Sequence, residues 1–247
     1  MAQRLPFSRK PQQDDSPVNL LAKSHFDPAN PGAKPTNPPV HEQVYRTLRE
    51  QILFGEMAPG QAVTIQGLTQ SLGTGMTPVR EAIRRLTSDG ALVFQGNRRV
   101  SVPQLTERDV EQLVYLRKTM ESELVCRATK QIDQAAISRL DRLDHCLDQA
   151  IAAGDVVGYL TNNYLFHACL YEQANAPILT ELVNRVWLRF GPSLRVVCGR
   201  FGTQNLADHH KEVLQALHDR NPDAAAKAIV KDVEQGMQQV LAVLATK

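Results

Sequence analysis

The 247-residue chain is 43% hydrophobic and 22% charged, with 28 Lys and Arg against 26 Asp and Glu and a formal net charge of +2. Such a composition excludes a disordered, collagen-like or disulfide-stapled chain and suffices to bury a core in one large domain or two smaller ones. No apolar stretch approaches the roughly 20 residues that span a bilayer, and Pro, charge and amide residues break up the start MAQRLPFSRKPQQDD where a secretory signal needs an apolar run, so a cytoplasmic protein without membrane contact is expected.

Residues 1–39 are dense in Pro, Asn, Gln and Gly, carry five Lys/Arg against three Asp/Glu, and read as a flexible arm. Helical periodicity begins at once after it. Val44, Leu48 and Ile52 keep a spacing of four, with Leu53 beside the last, and Gly55 with Pro59-Gly60 stops the helix. Two short helical segments follow, Thr64–Leu72 and Thr77–Asp89, joined by Gly73-Thr74-Gly75-Met76, a pattern that predicts a helix-turn-helix. Thr77 is expected as the N-cap of the second, with Pro78 at its first helical position and Glu81 in its first turn. After Asp89-Gly90, residues 91–94 and 100–102 read as strands around the turn 95–99, which makes a wing.

From Thr106 onward the pattern is helical throughout, with predicted spans 106–130, 133–153, 155–173, 177–199, 205–219 and 222–245. The fold class is therefore mainly α: a flexible arm (1–39), a winged helix-turn-helix domain (40–104) and an all-α helical bundle (105–247). The basic excess lies in the winged part, where residues 40–103 hold seven Lys/Arg and five Asp/Glu. The four cysteines, Cys126, Cys146, Cys169 and Cys198, are at least 20 residues apart, which leaves no Cys-x-x-Cys pair and predicts buried thiols.

Two constellations carry chemistry. On the second short helix Arg80, Arg84 and Arg85 lie within two turns of its start, and the wing tip adds Arg98 and Arg99. A helix N-terminus offers N–H groups to phosphate, and arginine binds phosphate or a guanine edge bidentately, so this surface is suited to double-stranded DNA. In the helical part the apolar stripe Val110, Leu113, Met120, Leu124 passes through Arg117, which on a core-facing stripe needs an anion. Asn163 and His167 sit one turn apart on the stripe of Leu160 and Leu170; His210 is in register with Val213 and Leu217, and Asp232 with Ile229, Gly236 and Val240. An amide, two imidazoles and a carboxylate aimed into one interior suit a divalent metal ion, zinc foremost, with Arg117 placed to hold a carboxylate effector bound to it. Taken singly, each of these residues reads as a satisfied core or helix-edge residue rather than a ligand; the metal reading rests on the set.

The stretch Val44–Val102, with LTQSLGTGMTPVREAIRRLTSDGALV at its centre, resembles the winged helix-turn-helix of the GntR family of bacterial transcription regulators; Thr77-Pro78-Val79-Arg80-Glu81-Ala82 matches the family's run outright. The resemblance implies that Thr77 and Arg80 contact an operator. Met76 replaces an arginine that many members use on DNA, and Arg99 replaces the usual wing glycine. Residues from about 106 to 245 resemble the FCD ligand-binding domain of FadR-type members in the six-helix, VanR-like form, through Leu116-Arg117 with Glu121, Asn163 to His167, Leu170-Tyr171, the Ala-Asn-Ala-Pro turn at 174–177, Leu188-Arg189 with Gly191-Pro192, and His210. That resemblance implies a metal site in which Asn163, His167 and His210 keep the family's places and Asp232 stands where a histidine is usual. It further implies a homodimeric repressor that responds to a small organic acid. The competing readings are a helical metalloenzyme with an accessory winged part and an effector-free structural DNA-binding protein. Against the first, none of the seven histidines has Glu three residues before it, and His-Glu-x-x-His and the P-loop are absent.

Overall fold

The computed structural model of the protein describes residues 38–96, 99–202 and 209–245. The expected arm therefore lies almost wholly outside the described residues, as does Arg98. Residues 38–247 form one compact unit.

The periodic apolar residues Val44, Leu48, Ile52 and Leu53 line the buried face of α1 (Val40–Leu53). A two-residue strand β1 (Ala62–Val63), which the sequence pattern does not announce, leads into α2 (Ile65–Leu72), whose start is closed by the Thr64 hydroxyl accepting from the Gly67 amide at 3.1 Å. Gly73, in the left-handed region at φ 60°, ends α2. The next helix, α3 (Met76–Ser88), starts two residues earlier than expected, so that Gly75 and not Thr77 is its N-cap. Pro78 is still tolerated because the amides of the first turn have no intrahelical acceptor to lose. Val79, Ala82, Ile83 and Leu86 bury one face of α3.

The first wing strand also begins later than the apolar run suggests. Gly90, at φ +76°, lets the chain turn back so that the amides of Ala91 and Leu92 both donate to the Leu86 carbonyl, at 2.9 and 3.2 Å. Those two donors close the C-terminus of α3 and are unavailable to a ladder. The strands are β2 (Val93–Gln95) and β3 (Arg99–Ser101), and the sheet has the order β1-β3-β2, antiparallel, with Val63 opposite Val100 and Phe94 opposite Val100 on the other side.

Six helices follow among the described residues: α4 (Glu107–Gln131), α5 (Gln134–Ala153), α6 (Val156–Glu172), α7 (Pro177–Phe201), α8 (His209–His218) and α9 (Pro222–Ala245). Their starts are locally encoded. Thr106 and Asp109 form a reciprocal capping box on α4, and Asp133 and Asp155 accept from the amides of Ala136 and Gly158 on α5 and α6. The most extensive helix interface joins α4 to α9; α5 packs on α6, and α8 on α5 and α9. No helix among the described residues is long and apolar enough to cross a membrane. Cys169 and Cys198 are buried free thiols, whereas Cys126 and Cys146 are half-buried.

The boundary expected at 104/105 falls in the loop between β3 and α4, yet the two parts join through α1, which packs on α3 and also on α7. At that seam the Leu53 carbonyl lies where a side chain at Gly191 would begin: a Cβ there would stand 2.4 Å from the oxygen. Only glycine allows helices to approach so closely.

Candidate functional site

The winged part presents Thr77, Arg80 and Arg84 as exposed side chains on α3 and Arg99 as an exposed residue of β3. Gly75 supplies no side-chain cap to α3, so the first amides of this helix are not closed by a side chain as those of α2, α4, α5 and α6 are. An open, partially positive helix end beside exposed guanidinium groups is an anion-binding arrangement. The arginines are not equivalent. Arg84 pairs with Glu81 one turn back at 2.5 Å, both side chains exposed, and such a pair yields readily to a phosphate. Arg85 instead turns toward α1, where it pairs with Glu42 at 2.6 Å and lies 3.6 Å over the Tyr45 ring. Its role is to hold α1 against α3. Burial would raise the Glu42 carboxyl, but Arg46 and Arg85 outweigh it and hold the group below the usual range.

In the bundle, three polar groups from three helices converge. His167 on α6 is fully buried, His210 on α8 is 4% exposed, and Asp232 projects from α9. Their ligating atoms all lie within 4.8 Å of one another. His167 Nε2 is 3.3 Å from His210 Nε2 and 3.3 Å from Asp232 Oδ2, and His210 Nε2 is 3.6 Å from Asp232 Oδ1. Two nitrogens bound to one tetrahedral zinc at about 2.0–2.1 Å would stand about 3.3–3.4 Å apart. The spacing fits a single cation shared by both imidazoles.

The surroundings fit as well. Burial pushes the His167 imidazole below its usual pKa, against the pull of Asp232, toward the neutral form that can ligate a metal. Burial would raise the Asp232 carboxyl, but its contacts with His167 and His210 and the charge of Arg117 outweigh it and hold the group as a carboxylate. Behind His210, whose ring stacks on Phe166 at 4.1 Å, Asp144 Oδ1 lies 3.7 Å from Nδ1. That oxygen is buried and makes no hydrogen bond, while Oδ2 lies 3.7 Å from Lys211 Nζ; a carboxylate thus stands behind one imidazole, as in many histidine-bound metal sites. Behind His167, Nδ1 lies 2.9 Å from the Tyr171 hydroxyl, which donates to Glu121 at 2.5 Å.

Of the four residues expected to hold a metal, the structure brings together His167, His210 and Asp232. Asn163 is buried one turn before His167 on the same helix, α6. Arg117 is buried, as its stripe demands, but the anion it needs is internal: Glu121, one turn on, accepts from Nε at 2.6 Å and from Nη2 at 3.1 Å. Its burial alone therefore gives no reason to place an effector carboxylate there. The sequence reading overlooked Tyr171 and Asp144 as functional side chains. The one legible signal was the spacing of four between His167 and Tyr171 and between Arg117 and Glu121, which puts each pair on one helix face.

Comparison with known proteins places both parts. Residues 40–102 match the sequence model described as bacterial regulatory proteins, gntR family, and residues 112–235 match that of the FCD domain. The HTH-type transcriptional regulator McbR of Escherichia coli is 29% identical over 198 residues, covering 79% of this chain and 90% of that protein. Its solved structure superimposes with a TM-score of 0.76 at 28% identity, covering 85% and 99% of the two chains. A GntR chain from Rhodococcus sp. RHA1 gives a TM-score of 0.68 at 26% identity, covering 82% and 97%. The E. coli HTH-type transcriptional repressor RspR is 23% identical over 206 residues, with 82% and 89% covered.

Proposed function

The chain belongs to the gntR family of bacterial regulatory proteins, with an FCD domain as its second part, and we propose that it is a metal-dependent repressor that releases its operator when a small organic acid binds in the bundle. That it is a DNA-binding transcriptional regulator and not an enzyme follows from its family and relatives. The remainder is our reading. Its main support is the convergence of His167, His210 and Asp232, three ligating groups on three helices with atoms within 4.8 Å of one another. Two histidines and one carboxylate leave coordination positions open on a divalent metal such as zinc, and a metal supplies Lewis acidity that a carboxylate ligand can satisfy. Thr77, Arg80, Arg84, Arg98 and Arg99 are assigned to the operator, with phosphate contacts for affinity and base edges for specificity.

The centre is physically continuous with the winged part. The His167 ring meets Trp187 at 5.0 Å, Trp187 meets Tyr164 at 5.4 Å, and the Tyr164 hydroxyl accepts from Arg49 of α1 at 3.1 Å. An effector acts through such a connection only by preferring the arrangement of winged parts that fits the operator less well. Repression is supported by the name of the relative RspR. Assembly as a homodimer is supported by apolar side chains left exposed on α4 and α7, Tyr115, Leu116, Ile178 and Leu182. A cytoplasmic location follows from the DNA partner.

The test is fluorescence anisotropy with a labelled duplex from upstream of the protein's own gene, against random duplex at moderate salt, with zinc and with a chelator. Preference for the upstream duplex that changes when metal is removed supports the reading. Equal binding to both duplexes would overturn the operator assignment, since phosphate contacts alone give nonspecific affinity. Indifference to metal removal would overturn the metal dependence.

A further inference from the structure

We propose that Arg117, Glu121 and Tyr171 form a buried relay that fixes the tautomer of His167, so that Arg117 is a positioning residue of the metal site. The inference rests on the metal reading above and deepens it. All four side chains are sealed from water, with exposures of 3% for Arg117, 0% for Glu121, 1% for Tyr171 and 0% for His167. Bulk water therefore does not reach the hydrogen bonds between them.

The order of donors follows from chemistry. A guanidinium can only donate, and Arg117 donates Nε–H to Glu121 Oε1 at 2.6 Å and Nη2–H to Oε2 at 3.1 Å. Both Glu121 oxygens accept in this fork. The Tyr171 hydroxyl has a single proton and spends it on Glu121 Oε2, at 2.5 Å. Toward His167 the same oxygen has only lone pairs left. The 2.9 Å contact with Nδ1 is therefore Nδ1–H donating to Tyr171, and a neutral imidazole with its proton on Nδ1 leaves Nε2 bare. That bare nitrogen is the one facing Asp232 Oδ2 and His210 Nε2, each at 3.3 Å. A lone pair and a carboxylate oxygen 3.3 Å apart are two donors to one cation.

The far end of the relay is equally fixed. The Arg117 guanidinium lies 4.1 Å over the Phe190 ring and 4.8 Å over the Trp187 ring, both on α7, which holds it against Glu121. A buried ion pair is a poor device for stability alone, because a well-packed apolar pair would serve as well. Orientation of a ligating histidine by a carboxylate-backed hydroxyl gives this pair a purpose that apolar residues could not fill.

The test begins with the metal-free wild-type protein labelled with 15N-histidine, in which a long-range 1H–15N correlation spectrum distinguishes protonated from bare ring nitrogens. The His167 signals are assigned by their loss in His167→Gln. The expected result is Nδ1–H with bare Nε2; a proton on Nε2 overturns the relay. Zinc affinity, measured by competition with a chromophoric chelator, is then compared between wild type and Tyr171→Phe, with circular dichroism to verify the fold. The phenylalanine variant is expected to bind about 10- to 100-fold more weakly and to populate the other tautomer. Unchanged zinc affinity in that variant overturns the proposal. If Tyr171→Phe does not fold, the wild-type spectrum still decides. Wild-type protein that takes up no zinc while keeping Nδ1–H on His167 upholds the relay and overturns the metal reading instead.

Discussion

The winged part and the bundle hold their polar side chains under opposite conditions. On α3, Arg80 and Arg84 are exposed, and an exposed cation, even one paired with a surface carboxylate as Arg84 is with Glu81, stays hydrated and yields to an outside anion. In the bundle, Arg117, Glu121 and His167 are at most 3% exposed and must be satisfied from within. A side chain of the first kind serves binding and leaves stability untouched. One of the second kind serves both, because its removal strands a buried partner.

Ordered by the stability each removes, four substitutions sharpen this contrast. Glu121→Ala leaves the Arg117 guanidinium buried without its anion and is expected to cost about 3–5 kcal/mol in urea denaturation. Tyr45→Phe deletes the hydrogen bond from the Tyr45 hydroxyl to Asp89, 2.8 Å long, which ties α1 to the end of α3; the expected cost is about 1.5–3 kcal/mol near neutral pH. Burial, aided by Asp89, raises the Tyr45 phenol to about 12. A raised folded value stabilises fully below the unfolded pKa of about 10 and progressively less above it. The difference between wild type and Tyr45→Phe should therefore shrink as pH rises from about 10 toward 12, in denaturation curves taken across that range.

Gly191→Ala drives a methyl to 2.4 Å from the Leu53 carbonyl and is expected to cost about 1–3 kcal/mol by forcing α1 off α7. Thermal unfolding of the variant reads this seam directly. Arg80→Ala is the opposite extreme. It is expected to leave the melting curve unchanged while weakening operator binding about 10- to 100-fold in anisotropy titrations. A loss of stability as large as that of Glu121→Ala would break the contrast.

The two regions were also unequally legible in the sequence. The winged part is written in contiguous signals, namely the Gly73 turn, the run from Thr77 to Ala82 and the basic hairpin, and these led to its fold and its exposed residues. Errors there came from competition for backbone donors. Ala91 and Leu92 read as strand but spend their amides capping α3, and β1 is too short, at two residues, to show alternation. In the bundle, helical periodicity placed His167, His210 and Asp232 on inward faces although they lie on three helices. Periodicity reports which face a residue occupies and not which neighbour meets it. So Arg117 read as a charge awaiting a ligand, when its anion is Glu121 on the same helix. Tyr171 entered only as part of the family match, when its hydroxyl joins two polar groups. Gly191 stood out only within the family match, and nothing in the sequence says that it meets the distant α1.

The central claim is that the bundle holds a cation on His167, His210 and Asp232 independently of the DNA-reading face. Elemental analysis by inductively coupled plasma mass spectrometry of wild type, His167→Ala and Arg80→Ala, each loaded with zinc and desalted, tests it most directly. The account predicts near one zinc per chain in wild type and Arg80→Ala and almost none in His167→Ala. Equal zinc in all three, or none in wild type, would contradict it.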